Sequence, residues 1–128
     1  MSSCVFDASA VLAVLNRERG HEIAEPHLFG ATISTVNYGE VLKKSVERGG
    51  SIPMVQLLLA KQDLRIVPFD VSHSVCSAEI CPAGKAHGLS FADRACLSLG
   101  LLLDLPIVTA EEAMKQVNLP IKVKLIRK

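Results

Sequence analysis

The sequence predicts an α/β fold in which a mostly parallel five-stranded sheet lies between two layers of helices. Short apolar segments alternate with longer segments of helical periodicity along the chain, and strands separated by helices favour parallel pairing. The 128 residues are 49% hydrophobic, which is enough to form a buried core. Because no repeat or Pro/Gly/Ser-rich linker divides the chain, we expect a single domain over residues 1–128.

The amino-terminal part contains two predicted strands. The apolar segment CVF, residues 4–6, is suited to a short buried strand, and the helical segment SAVLAVLN follows it. A second, irregular helix is predicted around residues 21–28. The next strand is ATIS, residues 31–34, after which Ser34 is placed to cap a helix over residues 35–48.

The middle of the chain contains the third predicted strand between two helices. Pro53 suits the first turn of the helix before it, and LRIVPF, residues 64–69, has the composition of a strand. Asp70 or Ser72 can cap the helix after it. Pro82 is expected to end or kink that helix.

The carboxy-terminal part repeats the alternation. GLSFADRACLSLGLLL, residues 88–103, is a strongly apolar helix with an acid near its start. The strand PIVT, residues 106–109, follows, then a short helix over residues 111–117 and a last strand, IKVKLI, over residues 121–126. These segments complete the five strands.

The composition limits the kinds of partner. With 14 Lys and Arg against 13 Asp and Glu, the chain has no broad basic field, so nucleic-acid contact is expected from small basic patches. Candidate patches are residues 122–128 and the cluster Lys43, Lys44 and Arg48, although charge runs are often only solvated faces. Four cysteines without a secretion signal favour reduced thiols and a cytoplasmic location.

Several acids are predicted at one edge of the sheet. Asp7 follows the first strand, Asp70 the third, and Glu111 comes two residues after Thr109 at the end of the fourth. Asp93 lies in the first turn of a helix that starts near the same edge. Ligands of parallel sheets bind beyond the carboxyl ends of the strands, so these acids are candidate functional residues.

Helix capping offers a structural interpretation of most of these acids. Asp7 and Asp70 can each cap the helix that follows, and Ser90 with Asp93 has the spacing of a capping box. An acid in the first turn also complements the helix dipole. Capping explains each acid singly, but it does not explain why several acids converge.

Glu40 lies inside a predicted helix, where capping does not apply. A solvated helix face, or a pair with Lys43 or Lys44, would explain it structurally. If Glu40 instead joins the other acids, the carboxylates repel one another unless a cation neutralises them. Oxygen-only ligands select a hard ion such as Mg²⁺ or Mn²⁺.

Four segments in order, VFDASAVLAVL, ISTVNYGEVLKK, GLSFADRACLSLG and PIVTAEEAM, resemble the PIN-domain ribonucleases, and within them the VapC-like toxins of bacterial toxin–antitoxin systems. The resemblance runs through nearly the whole chain. It implies a PIN-like three-layer α/β/α sandwich and an endoribonuclease that uses Mg²⁺ or Mn²⁺ to hydrolyse RNA phosphodiester bonds. It also implies a homodimer and a small DNA-binding, VapB-like antitoxin as partner.

The resemblance assigns the acids of the site. Asp7, Glu40 and Asp93 match the family's first three acids, and Glu111 occupies a fourth position that is usually Asp in the motif T-x-D. Asp7 and Asp93 are then expected to bind the metal directly, and Glu40 to position the metal or its water. The extra methylene of Glu111 could weaken a second metal position or change the preferred ion.

Three further residues are implied as supporting the site. Thr109 would help to hold the metal shell or an attacking water, and Ser90 would start the helix that presents Asp93. Arg94 could reach a phosphate or pair with a neighbouring acid, and the structural pair is the favoured interpretation.

Other functions remain open. A receiver-like signalling domain would use Asp70, Thr109 and Lys122, but the chain lacks an acidic pair after the first strand and Glu40 would have no role. A haloacid-dehalogenase-type phosphatase needs D-x-D where the chain has DASA. If Glu111 cannot replace the usual Asp in the site, the protein would be a catalytically degenerate PIN domain that acts as a binding partner. A zinc site is the remaining possibility, from the spacing of His73, Cys76, Cys81 and His87, although Cys76 and Cys81 also fit a helix.

Overall fold

The computed structural model describes residues 4–127. Within that range, five strands alternate with eight helices. The strands are β1 (Val5–Phe6), β2 (Thr32–Ser34), β3 (Arg65–Val67), β4 (Ile107–Thr109) and β5 (Val123–Leu125). The helices are α1 (Ala8–Leu15), α2 (His21–Leu28), α3 (Thr35–Glu47), α4 (Ile52–Ala60), α5 (Val71–Glu79), α6 (Cys81–Lys85), α7 (Phe91–Leu103) and α8 (Glu112–Gln116).

All five strands are parallel and form one sheet in the order β3-β2-β1-β4-β5. The central strand is β1, in which Val5 pairs with Thr32 on one side and Ile107 on the other. The predicted α/β class and parallel sheet are confirmed. Because β1 is central, the residue that follows it, Asp7, lies in the middle of the carboxyl edge.

The sheet carries a buried core on each face. Alternate side chains of a strand point to opposite faces, so Phe6 packs with α1 to α4 while Val5 packs with α7 and α8. Cys4 and Cys96 are buried in these cores, as predicted. The four cysteines form no disulfide.

Two of the differences between the predicted and observed elements occur at prolines, Pro68 and Pro82. The strand predicted over residues 64–69 is shorter because Pro68, just after β3, cannot donate to a strand ladder. The helix predicted to reach the low 80s ends at Glu79, and Pro82 lies in the first turn of α6, where its missing N–H is tolerated.

None of the helices within residues 4–127 is long and apolar enough to cross a lipid bilayer.

Candidate active site

An open pocket of about 230 Å³ lies at the carboxyl edge of the sheet. Its lining brings together the four acids that the sequence predicts for the site, which come from four separate parts of the chain. They are Asp7 after β1, Glu40 in α3, Asp93 in the first turn of α7 and Glu111 after β4. Ser9, Asn37, Lys44 and Ser90 also line the pocket.

Asp7 is the most buried of these acids, with 2% of its surface exposed. It caps α1 by accepting a hydrogen bond of 2.9 Å from the Ala10 N–H, and it also accepts from the hydroxyls of Ser9 (2.8 Å) and Thr109 (2.6 Å). Burial raises the pKa of Asp7 to about 6; these hydrogen bonds lower the pKa, and the charge of Asp93 raises it. A buried carboxylate with a raised pKa favours a proton or a cation beside it.

Two hydroxyls join the turn after β1 to the turn after β4. Thr109 accepts a hydrogen bond from the Glu111 N–H (2.9 Å), and Ser9 accepts one from the Ala110 N–H (2.9 Å). Ser9 and Thr109 are also 3.3 Å apart through their hydroxyl oxygens. Sequence reasoning predicted Thr109 but missed Ser9, although a serine two residues after an acid is a common turn signal.

Asp93 forms the predicted capping box with Ser90. The Ser90 N–H donates to Asp93 Oδ2 (2.9 Å), and the Asp93 N–H donates to the Ser90 hydroxyl (3.1 Å). Asp93 also lines the pocket, and its charge is close enough to raise the pKa of Asp7. The structural and functional interpretations of Asp93 are therefore compatible.

Glu40 fits both of its predicted interpretations, a pair with a lysine and a place among the acids of the site. Its carboxylate lies 3.9 Å from the Lys44 ammonium in an i, i+4 pair, and both side chains line the pocket. Lys44 was predicted only as a member of a basic patch or as a partner of Glu40. The structure places this cation inside the acidic pocket.

Glu111 differs from the other acids because its carboxylate is not engaged by its own helix. It occupies the residue before α8 but makes no side-chain capping hydrogen bond. The neighbouring acid, Glu112, lines a separate concavity with Lys115 and Lys124. Of these two neighbouring glutamates, Glu111 lines the acidic pocket, and it is the residue at the T-x-D position.

The favoured interpretation of Arg94, a pair with a neighbouring acid, is not seen. Within residues 4–127 its guanidinium makes no ion pair; the carbon Cζ lies 5.9 Å from the ring centroid of Phe91. The Nε atom is buried and has no hydrogen-bond partner among the described residues. Asp93 instead takes its hydrogen bond from Ser90.

The chemistry of the oxygen atoms that line the site suits a hard cation. The pocket offers carboxylate, hydroxyl and amide oxygens, which favour Mg²⁺ or Mn²⁺ over zinc. In the part of the chain that the structure describes, however, no three His, Cys, Asp or Glu side chains lie close enough together to hold a metal ion. Three of the four acids have separate partners: Asp7 accepts from Ser9 and Thr109, Asp93 accepts from Ser90, and Glu40 pairs with Lys44.

The residues of the receiver-like alternative do not meet. Asp70 follows the edge strand β3 and caps α5, whereas Thr109 ends β4, with β2 and β1 between the two strands. Lys122 precedes β5 and so lies at the opposite edge of the sheet. The strand order also differs from the 2-1-3-4-5 order of receiver-like folds.

Comparisons with known proteins agree with this fold. The model of the PIN domain family matches residues 4–119. No curated protein matches the sequence significantly.

Solved structures share the fold at low identity. A toxin–antitoxin complex from Klebsiella pneumoniae matches with a TM-score of 0.77 and 17% identity, over 97% of this chain and 98% of that chain. VapBC2 from Rickettsia felis, bound to a promoter DNA fragment, matches with 0.72 and 14%, over 95% and 97%. DNA-bound VapBC from Salmonella typhimurium matches with 0.70 and 15%, over 98% and 99%.

Proposed function

The chain belongs to the PIN domain family, a family of nucleases, and from that premise we propose that it is a VapC-like endoribonuclease that requires Mg²⁺ or Mn²⁺. The observation that carries the proposal is the convergence of Asp7, Glu40, Asp93 and Glu111 on one pocket. Carboxylate oxygens around one pocket are the type of ligand that a hard cation prefers.

Each acid has a separate role in this proposal. Asp7 and Asp93 would hold the cation directly, Glu40 would position it or its water, and Glu111 would reach the site from the turn after β4. A bound cation would lower the pKa of water and stabilise negative charge on the phosphate. Thr109 and Ser9 fix the orientation of Asp7 through hydrogen bonds. Lys44 can release Glu40 and contact a phosphate of the RNA.

Exposed apolar side chains support the proposed protein partners. Helix α4 exposes Met54 by 57% and Leu57 by 59%, at the i, i+3 spacing that places both on one face of the helix. Clustered apolar side chains on a surface commonly mark protein interfaces. We propose that the protein forms a homodimer in the cytoplasm and binds a VapB-like antitoxin there. The toxin–antitoxin complexes among the structural matches favour the antitoxin partner.

The proposal is tested by incubating the purified protein with total RNA in Mg²⁺, Mn²⁺ or EDTA and mapping the cut ends by sequencing. We expect cleavage in metal, none in EDTA, and none from Asp7→Asn or Asp93→Asn. Asp70→Asn is the matched control, because Asp70 also caps a helix but lies outside the pocket. The Asp70→Asn variant should cleave RNA as fast as the wild type.

Two results would contradict the proposal. Unchanged cleavage by both pocket variants would remove the acids from the reaction. No cleavage by the wild type in any metal, together with tight binding of an antitoxin, would favour a catalytically degenerate PIN domain. Size-exclusion chromatography with light scattering tests the homodimer separately.

A further inference from the structure

Asn37 is a polar residue of the pocket for which the proposed function has no role. It lies on the same face of α3 as Glu40 and Lys44, at the spacing i, i+3 and i+7. Only 1% of its surface is exposed, although it lines the acidic pocket. A buried side-chain amide normally has hydrogen-bond partners for both its nitrogen and its oxygen.

The amide of Asn37 is satisfied on one side only. Its Nδ2 donates a hydrogen bond of 3.1 Å to the Ala92 carbonyl, which joins α3 to the first turn of α7 beside Asp93. This bond fixes the orientation of the amide, since the carbonyl accepts only from nitrogen. The oxygen Oδ1 is buried and has no hydrogen-bond partner within residues 4–127.

The surroundings of Oδ1 indicate what kind of partner it takes. When ionised, the pocket's carboxylates accept hydrogen bonds and do not donate them. The Ser9 hydroxyl donates to Asp7, and the Lys44 ammonium faces Glu40. No donor within residues 4–127, the Ser90 hydroxyl included, lies within hydrogen-bond distance of Oδ1, so we infer that the missing partner is a donor that enters the pocket from outside.

We propose that Asn37 is a positioning residue of the metal site, whose Oδ1 accepts a hydrogen bond from a water molecule of the ion's coordination shell. The inference rests on the proposed function. Mg²⁺ and Mn²⁺ sites of this type retain bound waters, and these waters are strong donors. A neutral acceptor orients such a water without adding to the repulsion among the four acids.

Calorimetric titration of Mn²⁺ into the wild type, Asn37→Leu and Asn37→Asp tests this role. Both variants lose the hydrogen bond to the Ala92 carbonyl, but only Asn37→Asp keeps an oxygen acceptor. We expect Asn37→Leu to weaken the Mn²⁺ Kd by about 10- to 100-fold, as removal of an outer-shell partner does. Asn37→Asp should bind Mn²⁺ at least as tightly as the wild type.

Equal weakening in the two variants would overturn the inference, because it would show that only the link to Ala92 matters. If Asn37→Leu does not fold, a crystal structure of the wild type in Mn²⁺ decides the question. We expect a metal-bound water at about 2.7–3.2 Å from Oδ1. An ion in the pocket without such a water would refute the role of Asn37.

The same measurements distinguish a failure of the proposed function from a failure of the role of Asn37. A wild type that neither binds Mn²⁺ nor cleaves RNA would overturn both proposals. A wild type that does both, with Asn37→Leu unchanged in Mn²⁺ affinity, would overturn the role of Asn37 alone.

Discussion

The Thr109 hydroxyl donates a hydrogen bond of 2.6 Å to Oδ2 of Asp7, and the two residues are 102 positions apart in the sequence. The bond joins the carboxyl ends of neighbouring strands, β1 and β4. It gives a buried carboxylate one of its three donors. The orientation of Asp7 therefore depends on a side chain from the far end of the chain.

We predict that Thr109→Val destabilises the metal-free protein at pH 7.5 by about 1–3 kcal/mol, the cost of leaving a buried acceptor without its donor. Thr109→Ser keeps the hydroxyl and should lose far less. Urea unfolding followed by circular dichroism measures both. Equal destabilisation in the two variants would point to the Thr109 methyl group rather than the hydrogen bond.

The raised pKa of Asp7 predicts how stability changes with pH. Burial raises this pKa from 3.8 to about 6, so the folded state binds the proton more tightly than the unfolded state. The stabilisation is complete below pH 3.8 and is lost as pH rises through 6. Between pH 3.8 and 7 the wild type in EDTA should lose about 3 kcal/mol relative to Asp7→Asn, which does not titrate.

Urea denaturation of both chains at several pH values measures that difference. Mg²⁺ should restore stability to the wild type at pH 7.5 but not to Asp7→Asn, since the ion binds only the folded wild-type site. A constant difference between the two chains from pH 4 to 7 would contradict the raised pKa.

The sequence was informative where the signals were local. Caps at Ser34, Asp70 and Ser90 lie where they were predicted, because each is set by a hydroxyl or carboxylate within three residues of its N–H partner. The convergence of the acids was predictable from topology, since the carboxyl ends of parallel strands meet at one edge.

Contacts between distant segments could not be predicted in this way. Ser9 meets Ala110 across 101 positions and Asn37 meets Ala92 across 55, and no periodicity encodes either contact. Pairings of this kind are set by how the helices pack.

Glu18 is predicted to stabilise the fold away from the pocket. Its carboxylate accepts hydrogen bonds from Arg48 (3.0 Å), just after α3, and from Arg127 (3.2 Å), beyond β5. Burial raises the pKa of Glu18, but hydrogen bonds from Arg48 and Arg127 outweigh it and lower the pKa. We expect Glu18→Gln to cost about 1 kcal/mol at pH 7.

The pH dependence for Glu18 has the opposite sign to that for Asp7. A lowered pKa contributes stability above the unfolded value of 4.5, and this contribution is lost as pH falls through the folded value. The control is Glu47→Gln, which removes an exposed pair with Lys43 and should change stability by at most about 0.5 kcal/mol. A deficit in Glu18→Gln that does not shrink as pH falls from 4.5 would contradict the charge as its cause.

Glu111 is the departure from the family's T-x-D motif, and its neighbour offers a matched comparison. Glu111 lines the pocket with Asp7 and Asp93, whereas Glu112 lines a different concavity. Glu111→Gln should reduce metal-dependent RNA cleavage by about 10- to 100-fold, because it removes a negative charge from the metal site. Glu112→Gln removes the same charge one residue away and should leave cleavage within about twofold of the wild type.

Glu111→Asp completes the comparison because it shortens the side chain without changing its charge. If the extra methylene of Glu111 lowers the affinity of the site for the ion, Glu111→Asp should cleave RNA at a lower Mg²⁺ concentration than the wild type. Cleavage rates measured against Mg²⁺ and Mn²⁺ concentration for the four chains test this. Equal losses in Glu111→Gln and Glu112→Gln would show that general surface charge, rather than the carboxylate facing the pocket, governs the rate.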